Sequence, residues 1–232
     1  MEDVVAKFGR VDILINNASA LWWQDITDTP SRKYDLITQI NVRGTFLMTR
    51  AVLPHMRRGG FGRVVTMSPP ISSKVGVFAG RTAYNISKMG MTMVALGVSA
   101  EAAGADITGN SLWPATIIES LASKNFQMGQ RDMWRTANII ADATVGIVCD
   151  DAGTSGKMLI DDTYLRQRWG FTDEYFVKYR CNPDVEPPRL LAAAEGEEGG
   201  EGFEFVKRGE VGRLERDMRG DSKTIIASRS KL

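Results

Sequence analysis

Four short apolar runs punctuate the first two-thirds of the chain: VDILI at 11–15, RVVTM at 63–67, ITGNSL at 107–112 and KMLI at 157–160. They are brief and partly β-branched, which suits a pleated surface better than a helix. Runs of this kind read as strands covered on both faces. The segments between them carry helical spacing. Thr29 is the expected N-cap of the first helix, with Pro30 at its first position. Leu36, Ile40, Leu47 and Ala51 then recur along one face. The second helix spans 83–103 with Gly104 as its C-cap, and the third spans 136–149. Strand, helix and strand repeated in this order predict right-handed crossovers. The expected fold is therefore an α/β, doubly wound parallel sheet of Rossmann-like type.

This pattern organises residues 1–165 as one domain. Residues 166–190 mix aromatic and charged side chains and read as an extension packed on it. The stretch 191–229 is rich in Gly and Glu and then basic, a composition that predicts a disordered tail. Charge narrows the partners. Against 29 basic residues stand 28 acidic ones, a net +1, so neither nucleic acid nor an anionic membrane surface is indicated. No apolar run approaches the roughly 18 residues of a membrane span. Cys149 and Cys181 have no metal-type partners in the sequence and fit a reducing compartment. The single histidine, His55, precedes Met56, Arg57 and Arg58 and reads as a solvated helix-end residue. A Ser-His-Asp hydrolase would have to rely on it, and zinc sites ordinarily need more ligands, so no metal site is expected.

Chemistry concentrates in AYNISK at 83–88. Tyr84 and Lys88 are four residues apart and share a helix face. Any single Tyr-x-x-x-Lys is more often a structural pair than a site. In a partly desolvated cleft, however, an ammonium beside a phenol lowers a reference pKa of about 10; bringing it to neutrality takes about 4 kcal/mol. Such a phenol can pass a proton to or from a reacting oxygen. The strand ends add context. Asn16, Asn17, Ala18 and Ser19 follow the first strand, Ser68, Pro69 and Pro70 the second, and Trp113, Pro114, Ala115 and Thr116 the third. Ligands of open α/β sheets bind at such carboxyl ends.

Taken in order, NNAS, NVRGTF, SPP, YNISK and LWPAT resemble the short-chain dehydrogenase/reductase family. The resemblance implies that Tyr84 is the acid/base and that Lys88 lowers its pKa and hydrogen-bonds the nicotinamide ribose. It implies that Asn41 holds a relay water, that Asn16, Asn17 and Ala18 line the adenosine side of NAD or NADP, and that Pro114, Ala115 and Thr116 close over the nicotinamide. Two departures stand out. The family serine that steadies the substrate oxygen falls in register on Pro69, with Ser68 one place early. A one-residue slip reverses direction on a strand, so Ser68 is a catalytic candidate beside Ser72 and Ser73. The family also opens with a strand and a glycine-rich phosphate turn, Thr-Gly-x-x-x-Gly-x-Gly, that this sequence does not contain. The resemblance therefore implies an N-terminally truncated domain with uncovered sheet edges, which favour pairing with another subunit as a homo-oligomer.

Two functions are expected from these features. One is a peroxisomal NAD(P)-dependent oxidoreductase that interconverts a hydroxyl and a carbonyl on a small, lipid-like molecule. The other is a non-catalytic fragment acting as a binding or interaction module. The compartment comes from the last three residues, Ser230, Lys231 and Leu232, which form the address read by the peroxisomal import receptor.

Overall fold

The computed structural model describes residues 1–189 and, beyond them, two strands at 213–216 and 222–225. It divides into two compact units, Met1–Trp113 with Ile140–Trp169, and Pro114–Ile139 with Gly170–Leu232. The first unit is built on a four-stranded sheet whose strands are β1 (Ile13–Asn16), β2 (Gly62–Met67), β3 (Ile107–Trp113) and β4 (Met158–Ile160). They lie in chain order and are parallel throughout. The alternation of apolar runs and helices thus produces the parallel α/β fold it predicts.

Among the described residues the α-helices are α1 (Glu2–Phe8), α2 (Ser31–Thr38), α3 (Gly44–Gly59), α4 (Thr82–Glu101), α5 (Leu121–Asn125), α6 (Asn138–Cys149), α7 (Asp161–Trp169) and α8 (Asp173–Val177). Val52, Leu53 and Met56 of α3 pack with Val98 and Ala102 around Val64 and Ile107 of the sheet. Removing a Leu- or Ile-sized side chain from water contributes about 1.5–3 kcal/mol, so this cluster holds the two helices on the strands. α4 and β3 approach very closely at Gly109. A Cβ there would run into the Ala95 carbonyl oxygen and come within 2.7 Å of Val98 Cβ, so only glycine fits.

Local details depart from expectation in three places. Pro30, rather than Thr29, is the N-cap residue of α2, while the Thr29 hydroxyl donates to the Asp25 carbonyl at 2.8 Å. α4 ends at Glu101 with Ala102 as C-cap, and Gly104 takes φ +86° in the turn beyond it. Between α2 and α3 the chain makes one wide π turn, Gln39–Arg43. The extra residue rotates the buried face. Leu36 and Ile40 are exposed, and Ile37, Asn41, Thr45, Thr49, Val52 and Met56 turn inward instead. Isolated π turns of this kind often occur at functional sites.

The boundary expected at 165 falls inside α7, whose Tyr164 hydroxyl donates to Asp150 at 2.7 Å. Within the second unit, Arg135 is buried and pairs with Glu186, and Trp134 Nε1 donates to the Met128 carbonyl at 2.8 Å. Phe171 stacks on Tyr175, and Phe176 packs against Phe171 and Tyr179. In the stretch expected as a tail, β5 (Arg213–Arg216) and β6 (Ser222–Ile225) pair antiparallel. The rest of that stretch, with Ser230, Lys231 and Leu232, lies outside the described residues.

Candidate active site

Tyr84 sits in the first turn of α4. Its start is held by Asn85, whose Nδ2 donates to the Val77 carbonyl at 2.6 Å while its backbone N–H donates to the Arg81 carbonyl at 2.8 Å. The Tyr84 ring meets Trp23, from the segment after β1, edge-on: the centroids are 6.0 Å apart and the planes inclined by 72°. Arg81, at the N-cap of α4, holds its guanidinium over the other ring, with Cζ 5.2 Å from the Trp23 centroid. Trp23 and Arg81 were missed by sequence reasoning. Trp23 carries no motif, and the spacing of Arg81 to Tyr84 gains meaning only once the intervening tryptophan arrives from elsewhere in the chain.

Lys88 is buried one turn beyond Tyr84. Its Nζ donates to the Met67 carbonyl at the end of β2, at 2.9 Å, and lies 5.3 Å from the Trp113 ring centroid at the end of β3. Burial lowers its pKa to about 7. Tyr84 moves the other way: burial raises its pKa, and the charge that opposes the rise is that of Arg81. Tyr84 and Lys88 share the helix as their spacing demands, but the lysine is drawn inward by a strand-end carbonyl and an aromatic face.

Asn41, in the π turn, is fully buried. Its Oδ1 accepts from the Ala20 N–H at 2.7 Å, and its Nδ2 donates to the Ala20 carbonyl and to Ser87 Oγ, each at 2.9 Å. Ser87 Oγ in turn donates to the Tyr84 carbonyl at 2.7 Å. The asparagine expected to hold a relay water thus ties the segment leading to Trp23 onto the helix turn that carries Tyr84. Each hydrogen bond of this sort contributes about 1 kcal/mol, and leaving one buried partner unmatched costs more.

Two other candidates turn away. The Ser68 hydroxyl is buried and accepts from Thr92 Oγ1 at 2.8 Å, so the slip of register points it into the seam between β2 and α4. Ser72 Oγ accepts from the Lys74 N–H at 3.2 Å, and Ser73 is exposed in the same loop. Asn16, expected on the adenosine side of the cofactor, is buried, and its Nδ2 donates to Thr49 at 3.2 Å and Thr66 at 3.4 Å. It joins β1 to α3 and β2. Asn17 and Ala18 remain exposed at the strand's carboxyl end. Pro114, Ala115 and Thr116 open the second unit; Ala115 and Thr116 are buried, and Thr116 Oγ1 has no hydrogen-bond partner among the described residues. Among the described residues no cluster of His, Cys, Asp or Glu could hold a metal ion, and no helix is long and apolar enough to cross a membrane.

The family model for short chain dehydrogenase matches residues 1–129. Hydroxysteroid dehydrogenase-like protein 2 of Xenopus tropicalis is 36% identical over 207 residues, 86% of this chain and 49% of that one. The human protein of the same name is 35% identical over 168 residues, 72% of this chain and 40% of that one. The chain thus spans less than half the length of these curated relatives. Among solved structures, a putative dehydrogenase from Xanthomonas campestris superposes with a TM-score of 0.75 at 34% identity, covering 85% of this chain and 71% of that one. A short chain dehydrogenase of Mycobacterium thermoresistibile gives 0.73 at 32% identity, covering 81% and 66%.

Proposed function

Because the chain belongs to the short-chain dehydrogenase/reductase family, we propose that it works as a nicotinamide-dependent oxidoreductase interconverting a hydroxyl and a carbonyl, with Tyr84 as the proton-transferring residue. The observation that carries this reading is the Tyr84 phenol, packed edge-on against Trp23, whose ring also carries the Arg81 guanidinium, on a helix turn that the Asn41–Ser87 hydrogen bonds keep in place. With its pKa raised by burial, Tyr84 enters as a protonated phenol, the form that donates to an oxygen developing negative charge.

The residues present fit part of a dinucleotide. A lysine carries three donors, and Lys88 gives one to the Met67 carbonyl, which leaves N–H groups for ribose hydroxyls. Asn17 and Ala18, exposed at the end of β1, suit the adenosine side. When bound, the nicotinamide supplies or accepts the hydride. The engagement of the Ser68 hydroxyl by Thr92 favours a second reading in which this chain is a binding or interaction module.

Calorimetric titration with NAD and with NADP, followed by nicotinamide absorbance in the presence of hydroxyacyl and ketoacyl compounds, separates the two readings. The oxidoreductase reading expects micromolar binding of one dinucleotide and a substrate-dependent absorbance change. Absence of binding by both would leave the interaction module, whose partner could be another copy of the same family domain. A lipid-like substrate is the choice supported by the terminal Ser230-Lys231-Leu232, since an import receptor that reads this address would deliver the protein to peroxisomes. A fluorescent protein fused ahead of the chain is expected to appear in peroxisomes and to become diffuse when Leu232 is deleted. A distribution indifferent to that deletion would remove the compartment from the proposal.

A further inference from the structure

Resting on the reading of Tyr84 as the acid/base, we propose that Arg81 is its positioning residue, the guanidinium seated on Trp23 supplying the positive charge that favours the phenolate and so sets how readily Tyr84 gives up its proton.

The geometry comes first. Arg81 is the N-cap residue of α4 and Tyr84 lies in its first turn; the two side chains meet on opposite sides of one shared contact, the Trp23 ring. The backbone beneath them is held, since the Arg81 N–H donates to the Phe78 carbonyl at 2.9 Å and the Arg81 carbonyl accepts from Asn85. Trp23 fills the space between. Its ring offers a face to the guanidinium 5.2 Å away and meets the Tyr84 ring edge-on. A cation in this seat is partly shielded from water, so its attraction for a nearby negative oxygen exceeds that of a solvated surface charge.

The remaining charged groups do not offer the same service. Lys88, one turn on, places its ammonium on Met67 and Trp113. Lys33 of α2 lies over the Trp22 ring at 4.6 Å, and Asp25, from the segment packed on Tyr84, lies on the Gly80 side. The electrostatics agree with the geometry and are reciprocal: Arg81 lowers the pKa of Tyr84 against the effect of burial, and Tyr84 raises that of Arg81 against the same effect. A cation three residues before the tyrosine thus does part of the work that the Tyr-x-x-x-Lys spacing assigns to the lysine.

The test reads the phenolate directly and needs no turnover. Tetranitromethane nitrates tyrosinate in preference to tyrosine, and peptide mass spectrometry follows Tyr84 separately from Tyr175, which is exposed in the second unit and serves as the internal standard. In Arg81→Gln the nitration of Tyr84 relative to Tyr175 is expected to fall about tenfold, the change produced by roughly one pKa unit. Arg81→Lys is expected to restore most of it. A merely structural role predicts the opposite sign, because loosening Trp23 would expose the ring and speed the reaction. Unchanged or faster nitration in Arg81→Gln would overturn the inference, as would failure of Arg81→Lys to recover the rate. Where turnover is measured, the alkaline limb of the pH profile should move upward in Arg81→Gln. Full activity in Tyr84→Phe would instead overturn the acid/base reading itself, so the two failures are distinguishable.

Discussion

Tyr84→Phe is expected to lower turnover by about 10²–10⁴-fold, the range for loss of a positioned general acid, while dinucleotide binding stays within about twofold of the wild type. The asymmetry follows from what the substitution removes. The ring stays, and with it the edge-on contact to Trp23; only the hydroxyl leaves. The helix turn is held by groups the substitution does not touch, namely the Ser87 hydroxyl on the Tyr84 backbone carbonyl and the Asn41 amide on Ser87. Lys88 keeps its place on Met67. A loss of about 3–5 kcal/mol of transition-state stabilisation is therefore expected with little change in the ground state. The check is kcat and KM side by side, with calorimetry for the dinucleotide. Equal kcat in the two proteins would remove Tyr84 from the chemistry.

Lys88→Met is expected to abolish the pH dependence that this lysine confers on folding. In the unfolded chain Lys88 is protonated below about 10.5, its ordinary value; in the folded protein burial brings this to about 7. Between those values unfolding takes up a proton. The unfolded state therefore binds more protons, and stability rises with pH across the window. Below about 7 the full penalty is present, on the order of 5 kcal/mol, and it is relieved as pH climbs toward 10.5. From pH 7.5 to 9.5 urea denaturation should show a gain of about 2–3 kcal/mol due to this group, absent in Lys88→Met. Cys181, pushed up chiefly by burial and then by Glu119, titrates alike in both proteins, so the difference between them isolates Lys88. At pH 7.5 the methionine variant should be the more stable by about 2 kcal/mol, the lost Met67 hydrogen bond and Trp113 contact offsetting part of the relief. A flat difference between pH 7.5 and 9.5 would mean that the ammonium is not held out of water.

These two residues show where linear spacing is informative and where it is not. The strand positions could be read to within a residue or two, because each is a short, partly β-branched run bounded by turn residues. The Tyr84–Lys88 helix was equally legible, since the period of a helix is a local property. The buried face of the segment from 31 to 59 was not. One extra residue in the π turn at Gln39–Arg43 shifts every later position, and no side chain there announces it. The same shift carries Asn41 into the interior between Ala20 and Ser87.

Composition and pattern alone determined that this chain builds a parallel α/β sheet and that a tyrosine and a lysine lie together on one of its helices, because both depend on interactions between near neighbours. Which charge faces which partner was decided only by the assembled fold. Trp23 reaches Tyr84 from the segment after the first strand, Met67 and Trp113 draw Lys88 from the ends of two others, and Thr92 claims Ser68 from within the same helix as Tyr84. Electrostatic strength depends on distance and on the exclusion of water, and neither exists until residues remote in sequence have packed.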